Sequence, residues 1–137
     1  MKFFIGAKAL IQHKGKILLI KRSDKYKETN ANDIWDIPGG RINFGEEPED
    51  GLKREVKEET GLEIKDILKI LDASTIYKTD EKQIIRITYL CTIETPELNL
   101  SEEHTEIMWI PPEKIDFKLK DKLIEKVINS QKKLYKY

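Results

Sequence analysis

The chain of 137 residues has little of what secreted or membrane-inserted proteins contain. Its one cysteine, Cys91, cannot form an internal disulfide, so nothing points to an oxidising compartment. No apolar run approaches the ~20 residues that span a membrane. The N-terminal stretch is interrupted by Lys2 and Lys8 and does not form the apolar core of a signal peptide. We therefore expect a cytoplasmic protein without a membrane partner.

Net charge is also absent, because 25 Lys and Arg residues balance 25 Asp and Glu residues. Proteins that bind DNA or RNA usually carry a clear basic excess, so a nucleic-acid polymer is not an expected partner. A small anionic substrate is compatible with this balance, because local charge clusters matter more than the sum. Internal repeats, low-complexity linkers and shifts in composition are missing too, so residues 1–137 are predicted to form a single domain.

The lone cysteine lies in a strand-like run, from Ile87 to Ile93. No histidine that could activate its thiol is close to it in sequence. We expect Cys91 to be a small buried hydrophobic residue rather than a nucleophile.

The distribution of apolar residues predicts strands mixed with two helices. Helix signals cover residues 47–60, between Pro48 and Gly61, and residues 120–134. Gly51 is unfavourable within the first helix, so we expect that helix to pack closely against a neighbour. Strands are predicted over residues 3–12, 17–21, 63–78, 83–94 and 106–110, with an exposed loop over 23–33. The predicted class is α+β, with a sheet between helices.

The first predicted helix carries an unusual concentration of acid. Glu55, Glu58 and Glu59 are three and four residues apart, so their carboxylates share one helix face. Like charges at these spacings destabilise a helix by about 0.2–0.5 kcal/mol per pair. Solvent and neighbouring basic residues can screen this charge, which is one interpretation. The other is a site for Mg²⁺, which prefers several oxygen ligands.

The residues before this helix favour the metal interpretation. Gly39 and Gly40 leave the backbone open to close approach by a phosphate or a metal. Lys21 and Arg22 end the second predicted strand and could reach substrate phosphates, although they could equally be solvated surface charges.

The glycines and acids together form a recognisable pattern. It resembles the complete Nudix box, in which the fixed positions are Gly40, Glu46, Arg54-Glu55-Val56, Glu58-Glu59 and Gly61-Leu62. The segment from Trp35 to Gly40 resembles the strand and Pro-Gly-Gly turn of that family. The resemblance implies an α/β/α sandwich with a mixed sheet.

The resemblance also implies a metal site. Glu55, Glu58 and Glu59 would hold Mg²⁺, with Mn²⁺ as an alternative, and the Gly39 carbonyl would complete the inner shell. Lys21, Arg22 and Gly40 would contact the substrate.

Roles around the metal follow from the same resemblance. Arg54 would orient Glu55, and Glu46 would support the metal shell. The general base varies in the family, since it can be a box glutamate such as Glu58 or Glu59, or one on a later loop. Glu103 stands where MutT-like members keep such a glutamate, and its neighbour Glu102 is the main rival.

The implied activity is metal-dependent cleavage of a diphosphate linkage in a nucleotide-like small molecule. A nucleoside triphosphate, including an oxidised one, is the expected substrate of a short MutT-like chain. ADP-ribose, dinucleoside polyphosphates and nucleotide sugars remain alternatives, as does a non-catalytic nucleotide-binding regulator. Tyr77, Tyr89 and Trp35 could stack on a base, but we expect each in the core. Family relatives are often dimers, which favours a homodimer.

Overall fold

The predicted strands form one mixed sheet in the computed structural model, which describes residues 1–22, 35–95, 104–116, 119 and 122–131. For Arg22, His104, Thr105 and Gln131 only the backbone is described. Within these ranges the strands are β1 (Lys2–His13), β2 (Lys16–Arg22), β3 (Trp35–Asp36), β4 (Gly39–Arg41), β5 (Ile64–Lys78), β6 (Lys82–Ile93) and β7 (His104–Ile110).

The sheet has the order β3-β2-β1-β6-β5, while β4 pairs with β1 and β7 pairs with β2. β1 and β6 run parallel from Lys2 opposite Lys82 to Ile11 opposite Cys91. The other described pairings are antiparallel. The predicted hairpin of the first two strands is present, with Gln12 opposite Ile17. β5 lies at the end of this order and carries several bulges, which agrees with its irregular apolar pattern.

In the described part of the chain, two α-helices flank this sheet: α1 (Pro48–Thr60) and α2 (Lys122–Gln131). A 3₁₀ turn (Pro112–Lys114) lies between β7 and α2. α1 begins with Pro at its first turn and ends where Gly61, at φ 77°, donates its N–H to the Lys57 carbonyl. These local signals are the ones that the sequence shows, so the predicted limits of α1 are close to the observed ones.

The core is divided in two by the sheet. On one face, Leu52 and Val56 of α1 pack with Ala7, Ala9 and Cys91. On the other face, Ile124, Val127 and Ile128 of α2 belong to one cluster with Leu10 of β1, Leu19 of β2 and Leu90 of β6. This arrangement confirms the predicted α+β sandwich with a mixed sheet between helices.

Several predictions about single residues are confirmed and others are wrong. Cys91 is fully buried, and its burial raises the pKa of the thiol to about 12. A Cβ on Gly51 would lie 2.5 Å from Ile42 Cδ1, so α1 does pack closely there. Tyr89 is buried as expected, but the core prediction for Tyr77 is wrong, because this residue of β5 is 49 % exposed.

The Pro-Gly-Gly segment also differs from a simple turn. Gly39 and Gly40 belong to the short strand β4, in which Gly40 lies opposite Ala7 and Gly39 opposite Lys8. The predicted loop over 23–33 lies outside the described residues. No helix in the described part of the chain is long and apolar enough to cross a lipid bilayer.

Candidate functional site

The glutamates of α1 differ in burial although they share a helix face. Leu52 and Val56 are fully buried, which orients the helix on the sheet. This orientation buries Glu59, which is 8 % exposed, and leaves the Glu55 side chain 20 % exposed. The Glu58 side chain is 59 % exposed. Packing therefore separates three chemically identical residues into an inner, an intermediate and an outer carboxylate.

Arg54 connects the carboxylates of this region. Its Nε and Nη2 donate to the two carboxylate oxygens of Glu46, at 2.8 and 3.0 Å. Its Nη1 donates to Glu55 Oε1 at 3.1 Å and to Glu58 Oε2 at 3.3 Å. Nη2 also donates to the Arg41 carbonyl at 3.0 Å. The planar guanidinium thereby ties the loop before α1 to two glutamates of the helix.

Glu46 is held in the loop before α1 by a second contact. The Asn43 N–H donates to its Oε1 at 2.8 Å. The hydrogen bond from Arg54, and after it the bond from Asn43, hold the pKa of Glu46 below its usual range. Glu46 thus remains a charged partner that keeps Arg54 in place, close to Glu55.

Glu59 has the most perturbed environment of the three glutamates. Its Oε1 accepts a hydrogen bond from the Gly39 N–H at 3.0 Å. Burial raises its pKa from 4.5 to about 7, and Lys8 and the Gly39 N–H oppose this rise. The nearby charges of Glu55 and Asp36 raise the pKa further. A buried carboxylate beside other acids is short of positive charge, which a cation can supply.

The two glycines of β4 allow the carboxylates of α1 to lie close to the backbone of the sheet. Gly39 has φ 142°, and a Cβ there would overlap the Ala7 carbonyl oxygen, so only glycine fits. A Cβ on Gly40 would lie 2.6 Å from Glu55 Oε2. The space beside Gly40 is therefore occupied by a carboxylate rather than by a side chain of its own.

The ion pair between Lys8 and Asp36 was not predicted from the sequence. Lys8 lies opposite Gly39 in the pairing of β1 with β4. Lys8 Nζ lies 3.0 Å from Asp36 Oδ2, and the two side chains are 14 % and 8 % exposed. The available signal was local, because each residue is a charge within an apolar stretch: Lys8 between Ala7 and Ala9, and Asp36 before Ile37. Their separation of 28 residues hid the pairing.

The residues of this site fit a hard divalent cation by their chemistry. Glu55 and Glu59 supply carboxylate oxygens beside the Gly39–Gly40 backbone, and backbone carbonyls are a ligand type that such a cation also accepts. Glu58 lies farther out and contacts Arg54. Among the described residues, no three acidic, cysteine or histidine side chains converge on one point as a preformed metal cluster. The fit therefore rests on ligand type and on the close approach of the Glu55 carboxylate to the backbone at Gly40.

The other predicted substrate and catalytic residues are only partly described. Lys21 Nζ lies 3.3 Å from Glu106 Oε1, across the pairing of β2 with β7. The backbone of Arg22 continues β2, but its side chain lies outside the described residues. Glu102 and Glu103 lie entirely outside the described residues. The structure thus brings Arg54, Glu46, Glu55, Glu59, Gly39 and Gly40 together around α1.

Comparison with known sequences agrees with the box. The sequence model of the NUDIX domain matches residues 5–133. A MutT-like protein of Streptomyces ambofaciens is 28 % identical over 109 residues, which cover 80 % of this chain and 64 % of that protein. Nudix hydrolase 7 of Arabidopsis thaliana is 33 % identical over 113 residues, covering 78 % and 39 %. The chain thus spans less than two thirds of either relative. Nucleoside triphosphatase NudI of Escherichia fergusonii is 30 % identical over 115 residues, covering 76 % and 79 %.

Solved structures share the fold over nearly the whole chain. The MutT protein of Methanosarcina mazei is 30 % identical with a TM-score of 0.73, covering 98 % of this chain and 96 % of that one. A MutT NUDIX hydrolase of Burkholderia pseudomallei is 22 % identical with a TM-score of 0.76, covering 94 % and 98 %. An ADP-ribose pyrophosphatase of Streptococcus suis is 19 % identical with a TM-score of 0.71, covering 93 % and 90 %. The last two show likeness of fold alone.

Proposed function

Because this chain belongs to the NUDIX domain family, we propose that it hydrolyses a diphosphate linkage in a nucleoside diphosphate derivative with the help of a divalent cation. One observation carries this proposal. The buried carboxylate of Glu59 is held by the Gly39 N–H and lies in the field of a second carboxylate, Glu55. Such an arrangement is costly without a cation and useful with one.

In this proposal Glu55, Glu58 and Glu59 hold Mg²⁺, or Mn²⁺, together with the Gly39 carbonyl. A bound cation of this kind neutralises diphosphate oxygens and lowers the pKa of bound water. Arg54 keeps the Glu55 carboxylate oriented through its 3.1 Å hydrogen bond. A bidentate hold on Glu46 fixes the guanidinium itself, so Arg54 acts by positioning.

Hydrolysis also requires a group that accepts a proton from the attacking water. We propose Glu103 for this role, with Glu102 as its rival and Glu58 or Glu59 as the alternatives within α1. Water would add to phosphorus, and the bond from phosphorus to the bridging oxygen would break. The products are two phosphate-bearing groups.

Lys21, Arg22 and Gly40 are the proposed contacts to the substrate phosphates. The Lys21 ion pair with Glu106 is exposed at both ends, at 29 % and 55 %. Exposed pairs of this kind contribute only about 0–1 kcal/mol, so a phosphate can displace Glu106 at little cost. Gly40 has no side chain and the Glu55 carboxylate lies against it, so a phosphate at the Gly40 backbone would lie close to the cation that Glu55 is proposed to hold.

For the substrate itself we propose a nucleoside triphosphate, which is supported by the similarity to nucleoside triphosphatase NudI. ADP-ribose is the second candidate, supported by the fold shared with the Streptococcus suis pyrophosphatase. Small nucleotides suit the balanced charge of the chain better than a polymer does. A homodimer is the proposed assembly.

The test is product release from nucleoside triphosphates, ADP-ribose, dinucleoside polyphosphates and nucleotide sugars, with Mg²⁺ or with EDTA. We expect Mg²⁺-dependent release from a nucleoside triphosphate, and its loss in Glu59→Gln. Glu81→Gln is the matched control, because Glu81 is an exposed glutamate in the turn between β5 and β6. Release that is unaffected by Glu59→Gln would contradict the metal site. Tight Mg²⁺ binding with no release from any compound would favour a non-catalytic regulator.

A further inference from the structure

The ion pair between Lys8 and Asp36 is unusual for the interior in which it lies. Lys8 belongs to β1, where its neighbours Ala7 and Ala9 are fully buried. Burying a charge is costly even when it is paired. Replacing a buried ion pair by apolar side chains is often neutral or stabilising. Stability alone therefore does not account for a lysine and an aspartate at these positions.

The contacts of the pair reach the backbone as well as each other. Lys8 Nζ donates to Asp36 Oδ2 at 3.0 Å and to the Ile37 carbonyl at 3.1 Å. Asp36 Oδ1 accepts the Ile37 N–H at 2.8 Å. Both polar groups of one residue, Ile37, are thus held by the ion pair. Because Ile37 is itself fully buried, its peptide groups have little freedom to move.

The backbone that follows Ile37 leads directly to the carboxylates of α1. The Pro38 carbonyl accepts the Ala9 N–H at 2.8 Å. The next residue, Gly39, donates its N–H to Glu59 at 3.0 Å. The covalent backbone from Ile37 to Gly39 therefore joins the residue held by the ion pair to the residue that contacts Glu59, and each of its three residues is fixed by at least one hydrogen bond.

We propose that Lys8 and Asp36 are positioning residues of the site, whose ion pair fixes the segment from Ile37 to Gly40 so that Gly39 meets the carboxylate of Glu59. This inference rests on the proposed function in one respect, namely that Glu59 is a ligand of the cation. Lys8 and Asp36 act on Glu59 mainly through this backbone. Their own charges also reach Glu59 and have opposite effects, since Lys8 lowers and Asp36 raises its pKa, and the double variant removes both charges together.

The decisive variant removes both charges at once, as Lys8→Met with Asp36→Leu. Lys8→Met alone leaves a buried carboxylate without its partner, so its unfolding midpoint should fall. The double variant removes both buried charges and should recover the midpoint of the wild type. It should still bind Mn²⁺ about 10–100-fold more weakly, measured by electron paramagnetic resonance, because the residues that orient metal ligands have effects of this size.

A second readout does not depend on metal or on turnover. Hydrogen exchange of the Gly39 amide, followed by NMR without metal, reports directly on its bond to Glu59. We expect exchange in the double variant to be at least about ten-fold faster than in the wild type, while amides in the middle of β6 stay unchanged. The single variant Lys8→Arg, which keeps a cation beside Asp36, should retain the slow exchange of the Gly39 amide.

The control is an exposed ion pair at the end of α1, between Lys57 of the helix and Glu63 just beyond it. Lys57 and Glu63 lie 2.6 Å apart with side chains 53 % and 65 % exposed, so Lys57→Gln with Glu63→Gln should leave Mn²⁺ affinity and Gly39 exchange unchanged.

Wild-type Gly39 exchange in a folded Lys8→Met, Asp36→Leu variant would overturn the proposal. Asp36→Asn is measured in the same way if the double variant does not fold. Absence of Mn²⁺ binding by the wild type would count against the proposed function, and Gly39 exchange would still decide the role of Lys8.

Discussion

Replacing Glu59 by glutamine should make the metal-free protein more stable at neutral to basic pH. Burial is the main cause that raises the Glu59 pKa from 4.5 to about 7. At about 1.4 kcal/mol per pKa unit, this rise corresponds to roughly 3 kcal/mol of unfavourable free energy when the carboxylate is charged. Glutamine has a similar shape, carries no charge and keeps a carbonyl oxygen for the Gly39 N–H.

The sign of the pH dependence follows from the direction of the shift. Because the folded-state pKa is above the unfolded-state value, the folded protein binds more protons between pH 4.5 and about 7. The contribution of Glu59 to stability is fully present below the unfolded-state value and is lost as pH rises through about 7. Glu59→Gln removes this loss, so its advantage over the wild type should grow with pH.

The effect is measured by urea denaturation in EDTA at about pH 5 and about pH 8. At each pH the free energy of unfolding of the wild type is subtracted from that of the variant, and the two differences are compared. We expect that difference to shift by up to roughly 3 kcal/mol in favour of Glu59→Gln at the higher pH. Glu58→Gln is the control, because its side chain is 59 % exposed. A Glu59→Gln protein that is less stable than the wild type at the higher pH would refute the reasoning.

Magnesium should largely cancel this difference in stability at the higher pH. A cation that binds only the folded state stabilises it by about 2.7 kcal/mol at a hundred times its dissociation constant. The wild type should show such a gain at about pH 8, and a smaller gain at about pH 5, where protons compete for Glu59. Glu59→Gln should show little gain at either pH. Equal gains in both proteins would contradict the ligand role of Glu59.

Three further substitutions or reactions follow from close contacts and burial. Gly40→Ala should weaken Mn²⁺ binding, because the new Cβ would lie 2.6 Å from Glu55 Oε2 and displace that carboxylate. Gly51→Ala should destabilise the protein by about 1–3 kcal/mol in thermal unfolding, because overpacking against Ile42 at 2.5 Å outweighs the better helix propensity. Cys91 should not react with a thiol reagent at about pH 8 until the protein unfolds, since burial raises its pKa to about 12.

Gly40→Ala has a matched control, and each of the three predictions has a result that would contradict it. The control is Gly6→Ala, because the nearest atom to a Cβ at Gly6 would be the Gly40 carbonyl oxygen, at an ordinary 3.7 Å. Unchanged Mn²⁺ affinity in Gly40→Ala would mean that Glu55 is not required where it lies. Stabilisation by Gly51→Ala would show that Ile42 moves aside easily. Rapid labelling of native Cys91 would contradict its burial.

Much of the framework was predictable because it depends on local signals. Pro48 and Gly61 mark the ends of α1 by the backbone geometry that each favours, and the structure has the helix between them. Apolar stretches likewise marked five of the strands. The common face of Glu55, Glu58 and Glu59 follows from helical periodicity alone.

The predictions that failed concern surroundings rather than local pattern. Tyr77 is an aromatic residue that follows the β-branched Thr75 and Ile76, as in a core strand, yet it is exposed because β5 lies at the end of the sheet order. The Pro-Gly-Gly segment reads as a turn, yet Gly39 and Gly40 pair with β1 as a strand. Strand order and pairing depend on residues far apart in sequence, which periodicity does not report.

The sequence by itself determined the box, the carboxylate face of α1 and the two layers of apolar residues, because each is a matter of spacing along the chain. Only the tertiary structure decided that Glu59, rather than Glu58, is the buried carboxylate, because this depends on how Leu52 and Val56 seat α1 on the sheet. It also decided that Lys8 and Asp36 form an ion pair next to the strand that contains Gly39. Burial and long-range pairing arise when distant segments pack together, and that packing sets the charge environment of the site.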